Sequence, residues 1–142
     1  MVYLITGKQG AGKTHYADAL AEELRQDGHS VKTIDGDRWR EEHKNEDYSD
    51  DGRYRNLMSA ASQAQAWERE GHVVILSFIA PKKQFRNNMR CYWQRSHIIY
   101  IPGGTLWEGT EYEVPDIEEF SMVIKGHTVI IDDGGCFTIY KK

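Results

Sequence analysis

The chain is poor in the residues that build covalent or metal frameworks. Its two cysteines, Cys91 and Cys136, are too few for a disulfide framework and lack the spacing of a zinc site. Both are expected as small buried apolar residues in a reducing cytoplasm. The six histidines are scattered, with no metal-ligand spacing. No hydrophobic run is long enough to span a bilayer, so no membrane partner is expected. Met1 leads directly into an apolar strand; no signal peptide is expected, and the compartment is read as cytoplasmic. Repeats, low-complexity tracts and linkers are absent, and the length fits one domain over 1–142. Arginine is missing from Leu106 to Tyr140, where Lys125 is the one cation. A net charge of −4 argues against a protein coated in nucleic acid, though local basic patches stay open. The 39% hydrophobic content supplies a core.

What is present in full is Gly7-Lys8-Gln9-Gly10-Ala11-Gly12-Lys13-Thr14, a match to G-x-x-x-x-G-K-[ST] at every fixed position. Val2 to Thr6 before it is a short apolar strand, and Thr14 to Asp27 after it reads as a helix. Glycines let the backbone curl so that its N–H groups point inward at a phosphate. The helix aims the positive end of its dipole at the same place. Gly7, Gly10, Ala11, Gly12, Lys13 and Thr14 are therefore the candidate ATP cradle. Lys13 is placed to reach the terminal phosphates, and the Thr14 hydroxyl is the expected Mg²⁺ ligand.

Further along, Ala17, Leu20, Ala21 and Leu24 recur at helical spacing, and Gly28 stands where a C-cap glycine belongs. His29 to Asp35 is the next strand; strand, helix, strand with a short return implies a right-handed crossover and a parallel sheet. Ligands in open α/β sheets sit beyond the carboxyl ends of the strands, which brings Asp35 and Asp37 towards the P-loop. One carboxylate can take a proton from an attacking hydroxyl, and the other can hold Mg²⁺. Arg38 and Arg40 can grip an anionic substrate. The competing reading is a polar turn in which Asp37 caps the next helix.

Glu41 to Gly52 is polar, acidic and expected to be mobile. Arg53 to Glu70 is a helix with Leu57, Ala60, Ala61, Ala64 and Trp67 as its apolar stripe. Arg53 and Asn56, near its start, either point into the crevice or are solvated. His72 to Ile79 is an apolar run fitting a strand buried on both faces, and it lacks a Walker B aspartate. Lys82 to Ser96 follows as a basic helix whose start sits at the crevice, making Arg86 a candidate phosphate contact. His97 to Ile101 is a fourth strand. Val129 to Ile131 and Phe137 to Tyr140 pair as a hairpin around Asp132-Asp133-Gly134-Gly135.

Several of these blocks, in order, resemble the adenylylsulfate (APS) kinase family. They are the P-loop, Asp35-Gly36-Asp37-Arg38, Tyr48-Ser49 with Arg53 and Asn56, and Ser77-Phe78-Ile79-Ala80-Pro81 with Arg86. The resemblance covers roughly residues 2 to 102. It implies ATP-dependent phosphorylation of a nucleotide hydroxyl with Asp35 as the base. It also implies that Arg38, Arg53, Asn56, Phe78 and Ile79 border the acceptor. The chain departs from the pattern at Gly52, where the family has aspartate, at Met58-Ser59 and at Ala80. Where the family carries a basic lid after the fourth strand, residues 103–109 contain no cation, while Tyr112-Glu113-Val114-Pro115 resembles the segment that follows the lid.

The fold expected is a three-layer α/β P-loop kinase with a short, mainly parallel sheet and a C-terminal β-hairpin, binding ATP and Mg²⁺. Three functions compete: a kinase for a small nucleotide such as APS, a kinase for a hydroxyl in a polynucleotide or modified base, and a catalytically weak nucleotide-binding module. The cations missing with the lid are expected from Arg38, Arg40, Arg53 and Arg86, or from a second subunit, so a homodimer is among the expected assemblies.

Overall fold

The computed structural model describes residues 1–106 and 110–115 and the strand segments 122–125, 128–131 and 136–138. Chain order is β1 (Val2–Thr6), α1 (Lys13–Gln26), β2 (Val31–Asp35), α2 (Gly36–Glu42), α3 (Asp50–Arg69), β3 (Val73–Phe78), α4 (Lys83–Arg90), β4 (Ser96–Tyr100), β5 (Met122–Lys125), β6 (Thr128–Ile131) and β7 (Cys136–Thr138). The strands form one sheet in the order β2-β3-β1-β4-β5-β6-β7. The run from β2 to β5 is parallel, and β6 and β7 add on antiparallel. The expected C-terminal hairpin is β6 with β7, Val129 opposite Phe137. Its turn, 132–135, and Tyr140 lie outside the described residues.

Alternation along the strands divides the core in two. Val2 and Leu4 of β1, Val74, Leu76 and Phe78 of β3, and Ile98 of β4 face α3 and α4. Ile5, Ile75 and Ile99 face the other way, onto Tyr16, Ala17 and Ala21 of α1. Strands covered on both faces read as continuous apolar runs. Each fully buried Leu or Ile here contributes roughly 1.5–3 kcal/mol. On α3 the contacts are Ala60, Ala61 and Ala64, all 0% exposed, and such small residues let the helix lie close to the sheet. Among the described residues no helix is long and apolar enough to cross a membrane.

Several boundaries differ from expectation. Residues 36–42, read as site or turn, form α2, because the Asp35 carboxylate caps it by accepting from Asp37 N and Arg38 N. The cap is therefore Asp35 rather than Asp37. Helix α3 starts three residues before Arg53, since the Ser49 hydroxyl accepts from Gly52 N and Asp50 and Asp51 complement the helix dipole. Helix α4 ends at Arg90 rather than Ser96. The chain turns there so that the Trp93 indole can reach under α3 and donate to Ala61 O at 3.0 Å. Cys91 on that turn is exposed, which corrects the expectation of a buried thiol.

Parallel register sets the site. Asp35 lies opposite Ser77, and Thr6 lies opposite both Phe78 and Tyr100. The carboxyl ends of β2, β3, β1 and β4 thus form one rim, with the P-loop rising from its centre.

Candidate active site

One cavity of about 740 Å³ opens on that rim. The P-loop forms its floor. Gly10 and Gly12 take φ of 79° and 100°, and Gly12 stands at the N-cap of α1 with no side chain to occupy the helix end. Lys13 donates its Nζ to Lys8 O at 2.9 Å, so the amine is parked on the loop's own backbone. Burial pushes the Lys13 pKa below its ordinary value, and the Asp37 and Asp35 carboxylates partly restore it.

Thr14 and Asp35 meet beside it. The Thr14 hydroxyl donates to Asp35 Oδ2 at 3.0 Å, while Asp35 Oδ1 accepts from Asp37 N and Arg38 N at 3.1 and 3.2 Å. One carboxylate oxygen is therefore held by the β2–α2 junction and the other by the first turn of α1. Asp37 lines the same cavity. This set of hard oxygens, next to a phosphate-binding loop, fits Mg²⁺, which takes one or two protein oxygens together with phosphate and water. Among the described residues no cluster of three or more His, Cys, Asp or Glu could hold a metal by itself.

The far wall carries Arg53, Asn56, Phe78 and Ile79, all lining the cavity, with Asn56 and Phe78 buried. Residues that the sequence left without a role join them: Lys44, Tyr48, Leu106 and Thr110. Tyr48 stood in a recognised block with no function attached to it; for Lys44 the sequence offered no signal.

The segment expected to be mobile is held in place. Arg40 Nη1 donates to Asn45 O, Asn45 Oδ1 and Asp47 O at 3.1–3.2 Å, and its guanidinium lies 4.6 Å from the Tyr48 ring. Asn45 Nδ2 donates to Gly52 O at 3.1 Å. This explains the departure at Gly52. A Cβ there would run into Asp47, whose own Cβ would be 2.6 Å away, so glycine lets the 43–49 loop close onto α3.

On the opposite side the post-β4 segment crosses the P-loop. Thr105 N donates to Gln9 O at 2.9 Å, and a Cβ on Gly104 would approach Ala11 N to 3.0 Å. Backbone, rather than basic side chains, covers the cradle there.

Two expected cations are elsewhere. Arg38 lies on the exposed face of α2, outside the cavity lining. Arg86, expected at a phosphate, is 0% exposed and does not line the cavity; its guanidinium donates to Ala80 O and Glu113 O. The expectation of a phosphate contact is corrected by this burial. Of the cations in the basic run at α4, Arg86 is buried and Arg90 bonds to Ser96 Oγ and Ser96 O. Among the described residues, the lysines and arginines lining the cavity are Lys13, Arg40, Lys44 and Arg53.

A sequence model of the adenylylsulphate kinase family matches residues 1–102. The chain belongs to the adenylylsulfate kinase family. It is 38% identical over 103 residues to a probable adenylyl-sulfate kinase of Aeropyrum pernix, covering 71% of this chain and 56% of that one. It is 36% identical over 87 residues to an adenylyl-sulfate kinase of Bacillus velezensis, covering 61% of this chain and 44% of that one. The chain therefore spans about half the length of the curated relatives it matches. Among solved structures, the hexameric APS kinase from Thiobacillus denitrificans superposes with a TM-score of 0.73 at 28% identity, covering 87% of this chain and 24% of that one. The sequence-model match ends just after β4, so it includes the P-loop, Asp35 and the Arg53–Asn56 and Phe78–Ile79 wall, and does not include β5 to β7.

Proposed function

We propose that this adenylylsulfate kinase family member transfers the γ-phosphate of ATP to a hydroxyl of a nucleotide-type acceptor, with adenylyl sulfate as the acceptor. The observation that carries the reading is the Asp35 carboxylate, 3.0 Å from the Thr14 hydroxyl and in one cavity with Lys13 and Arg53. ATP lies with its phosphates in Gly7 to Thr14. Lys13 leaves Lys8 O and moves to the β- and γ-phosphates, where its charge offsets theirs. Thr14, with Asp35 or Asp37, would hold Mg²⁺, which supplies further charge neutralisation on those phosphates. Arg53 and Lys44 hold the acceptor's anionic groups, while Phe78, Ile79 and Asn56 border its base and sugar. The acceptor oxygen attacks the γ-phosphorus, the bond to the bridging β-oxygen breaks and ADP leaves. Asp35 takes the proton from the attacking hydroxyl. Self-association, with a homodimer as its simplest form, belongs to the same proposal; the Thiobacillus denitrificans relative is described as hexameric, and light scattering tests the assembly.

The test is a γ-phosphate-labelled ATP assay offered adenylyl sulfate, a nucleoside and an oligodeoxynucleotide in parallel. Label on adenylyl sulfate supports the assignment. Label on the oligonucleotide alone, or on no acceptor, overturns it.

A further inference from the structure

We propose that Thr6, Tyr112 and Arg86 are positioning residues forming one buried network that sets the acceptor wall against the phosphate cradle. The proposal rests on the kinase reading above. Thr6 is the last residue of β1 and precedes Gly7 directly; it is 0% exposed. Its hydroxyl donates to Ile79 O at 2.6 Å and lies 2.6 Å from the Tyr112 hydroxyl. A threonine hydroxyl has a single proton. With that proton committed to Ile79, Tyr112 is the donor in the second bond.

The chain then runs through an unusual backbone. Ala80, next to Ile79, takes φ of 42° and is 2% exposed. A non-glycine residue in this left-handed region is strained and persists only where its surroundings fix it. Arg86 provides the fixing, because Nη1 donates to Ala80 O at 2.7 Å. The other branch, Nη2, donates to Glu113 O at 2.6 Å, and the guanidinium lies 5.5 Å from the Tyr112 ring. Glu113 N donates to Pro81 O at 2.8 Å, and Tyr112 stacks on Tyr100 with centroids 6.2 Å apart. Residues 110–115 are thus stitched between the end of β1 and the loop after β3. Arg86 is so placed that its charge meets carbonyl dipoles and an aromatic face inside the protein.

Phosphoryl transfer needs donor and acceptor aligned, and a misplacement of about 1 Å can lower the rate by roughly 10²-fold. Relatives with a basic lid can clamp both substrates from above. Residues 102–121 contain no lysine or arginine here. The network instead fixes the distance from Gly7 to Ile79 from below.

The experiment compares Tyr112→Phe, Thr6→Val, their double variant, and the retained-hydroxyl variant Thr6→Ser. The first readout is hydrogen exchange of the non-proline amides within 78–81 and 110–115, which needs no activity. The second is kcat/KM for adenylyl sulfate alongside Kd for ADP. Exchange in 78–81 is expected to quicken by ~10-fold in each hydroxyl-removing single variant, with the double variant no worse than either, as residues of one network behave. The kcat/KM for adenylyl sulfate is expected to fall by ~10-fold while Kd for ADP stays within ~2-fold, and Thr6→Ser should restore both readouts. Unchanged exchange at 78–81, additive effects in the double variant, or an equal loss of ADP affinity overturns the network. If the unmodified protein fails to phosphorylate adenylyl sulfate, the functional reading falls, and the exchange readout still decides the network. Tyr112→Phe keeps the ring and its stacking, so it remains decisive if Thr6→Val does not fold.

Discussion

Asp35 carries more of the account than any other side chain. One oxygen caps α2 and the other receives the Thr14 hydroxyl, so its position is set from both sides. Asp35→Asn keeps the shape and removes the basicity. Turnover at saturating ATP should fall by ~10²–10⁴-fold with ATP affinity little changed; loss of ATP binding with turnover kept would assign Asp35 to the metal-nucleotide complex instead. Lys13→Ala should abolish transfer without loss of stability. Burial lowers the Lys13 pKa, so in the alkaline window below the ordinary lysine value the unfolded chain binds more protons than the folded one. Stability contributed by this group therefore rises with pH through that window, and the charged amine is a burden at neutral pH. Thermal melts of Lys13→Ala at neutral pH should match or exceed the parent, and its melting point should climb less on alkalinisation. The P-loop residues were legible because their identities are dictated by phosphate contact. Arg86 was not legible in this way: a sequence shows a cation near a crevice, while only packing shows that its guanidinium is buried and donates to Ala80 O and Glu113 O.

At the scale of elements, the strands and helices that bury two faces or one stripe could be read from periodicity. Those fixed by polar side chains could not. Helix α2 depends on the Asp35 cap, and the 43–49 loop on Arg40, Asn45 and Asp47, none of which leaves a hydrophobic pattern. The same polar contacts predict the loop's response to acid. Hydrogen bonds from Ser49, followed by the nearby Arg55 and Arg40, hold the Asp47 carboxyl below its ordinary value, and the Lys82 contact at 2.7 Å does so for Asp50. A depressed carboxyl pKa adds stability above the unfolded value near ~3.9, and that stability is lost as pH falls through the lower folded value. Amide protection factors in residues 43–52, taken relative to the intrinsic exchange rate at each pH, should therefore hold steady down to about pH 4 and fall below it, ahead of the sheet. Simultaneous loosening of the sheet and the loop would show that these exposed contacts do not govern the loop.

Across the whole molecule, the match to the family's sequence model ends just after β4, and the chain beyond it is acidic, with no arginine from residue 106 onward. Backbone from residues 103–106 lies over the P-loop, and the cavity cations come from the floor and the acceptor wall. A site closed in this manner should exclude water less well than a lidded one, because among the described residues no basic segment folds down over the transferring group. The measurement that tests this most directly follows labelled γ-phosphate from ATP in a single assay, with and without adenylyl sulfate. The account predicts label on adenylyl sulfate when it is present, slower but measurable free phosphate when it is absent, and neither with Lys13→Ala. Tight ADP binding with no label leaving ATP in either condition would contradict it and leave a nucleotide-binding module in its place.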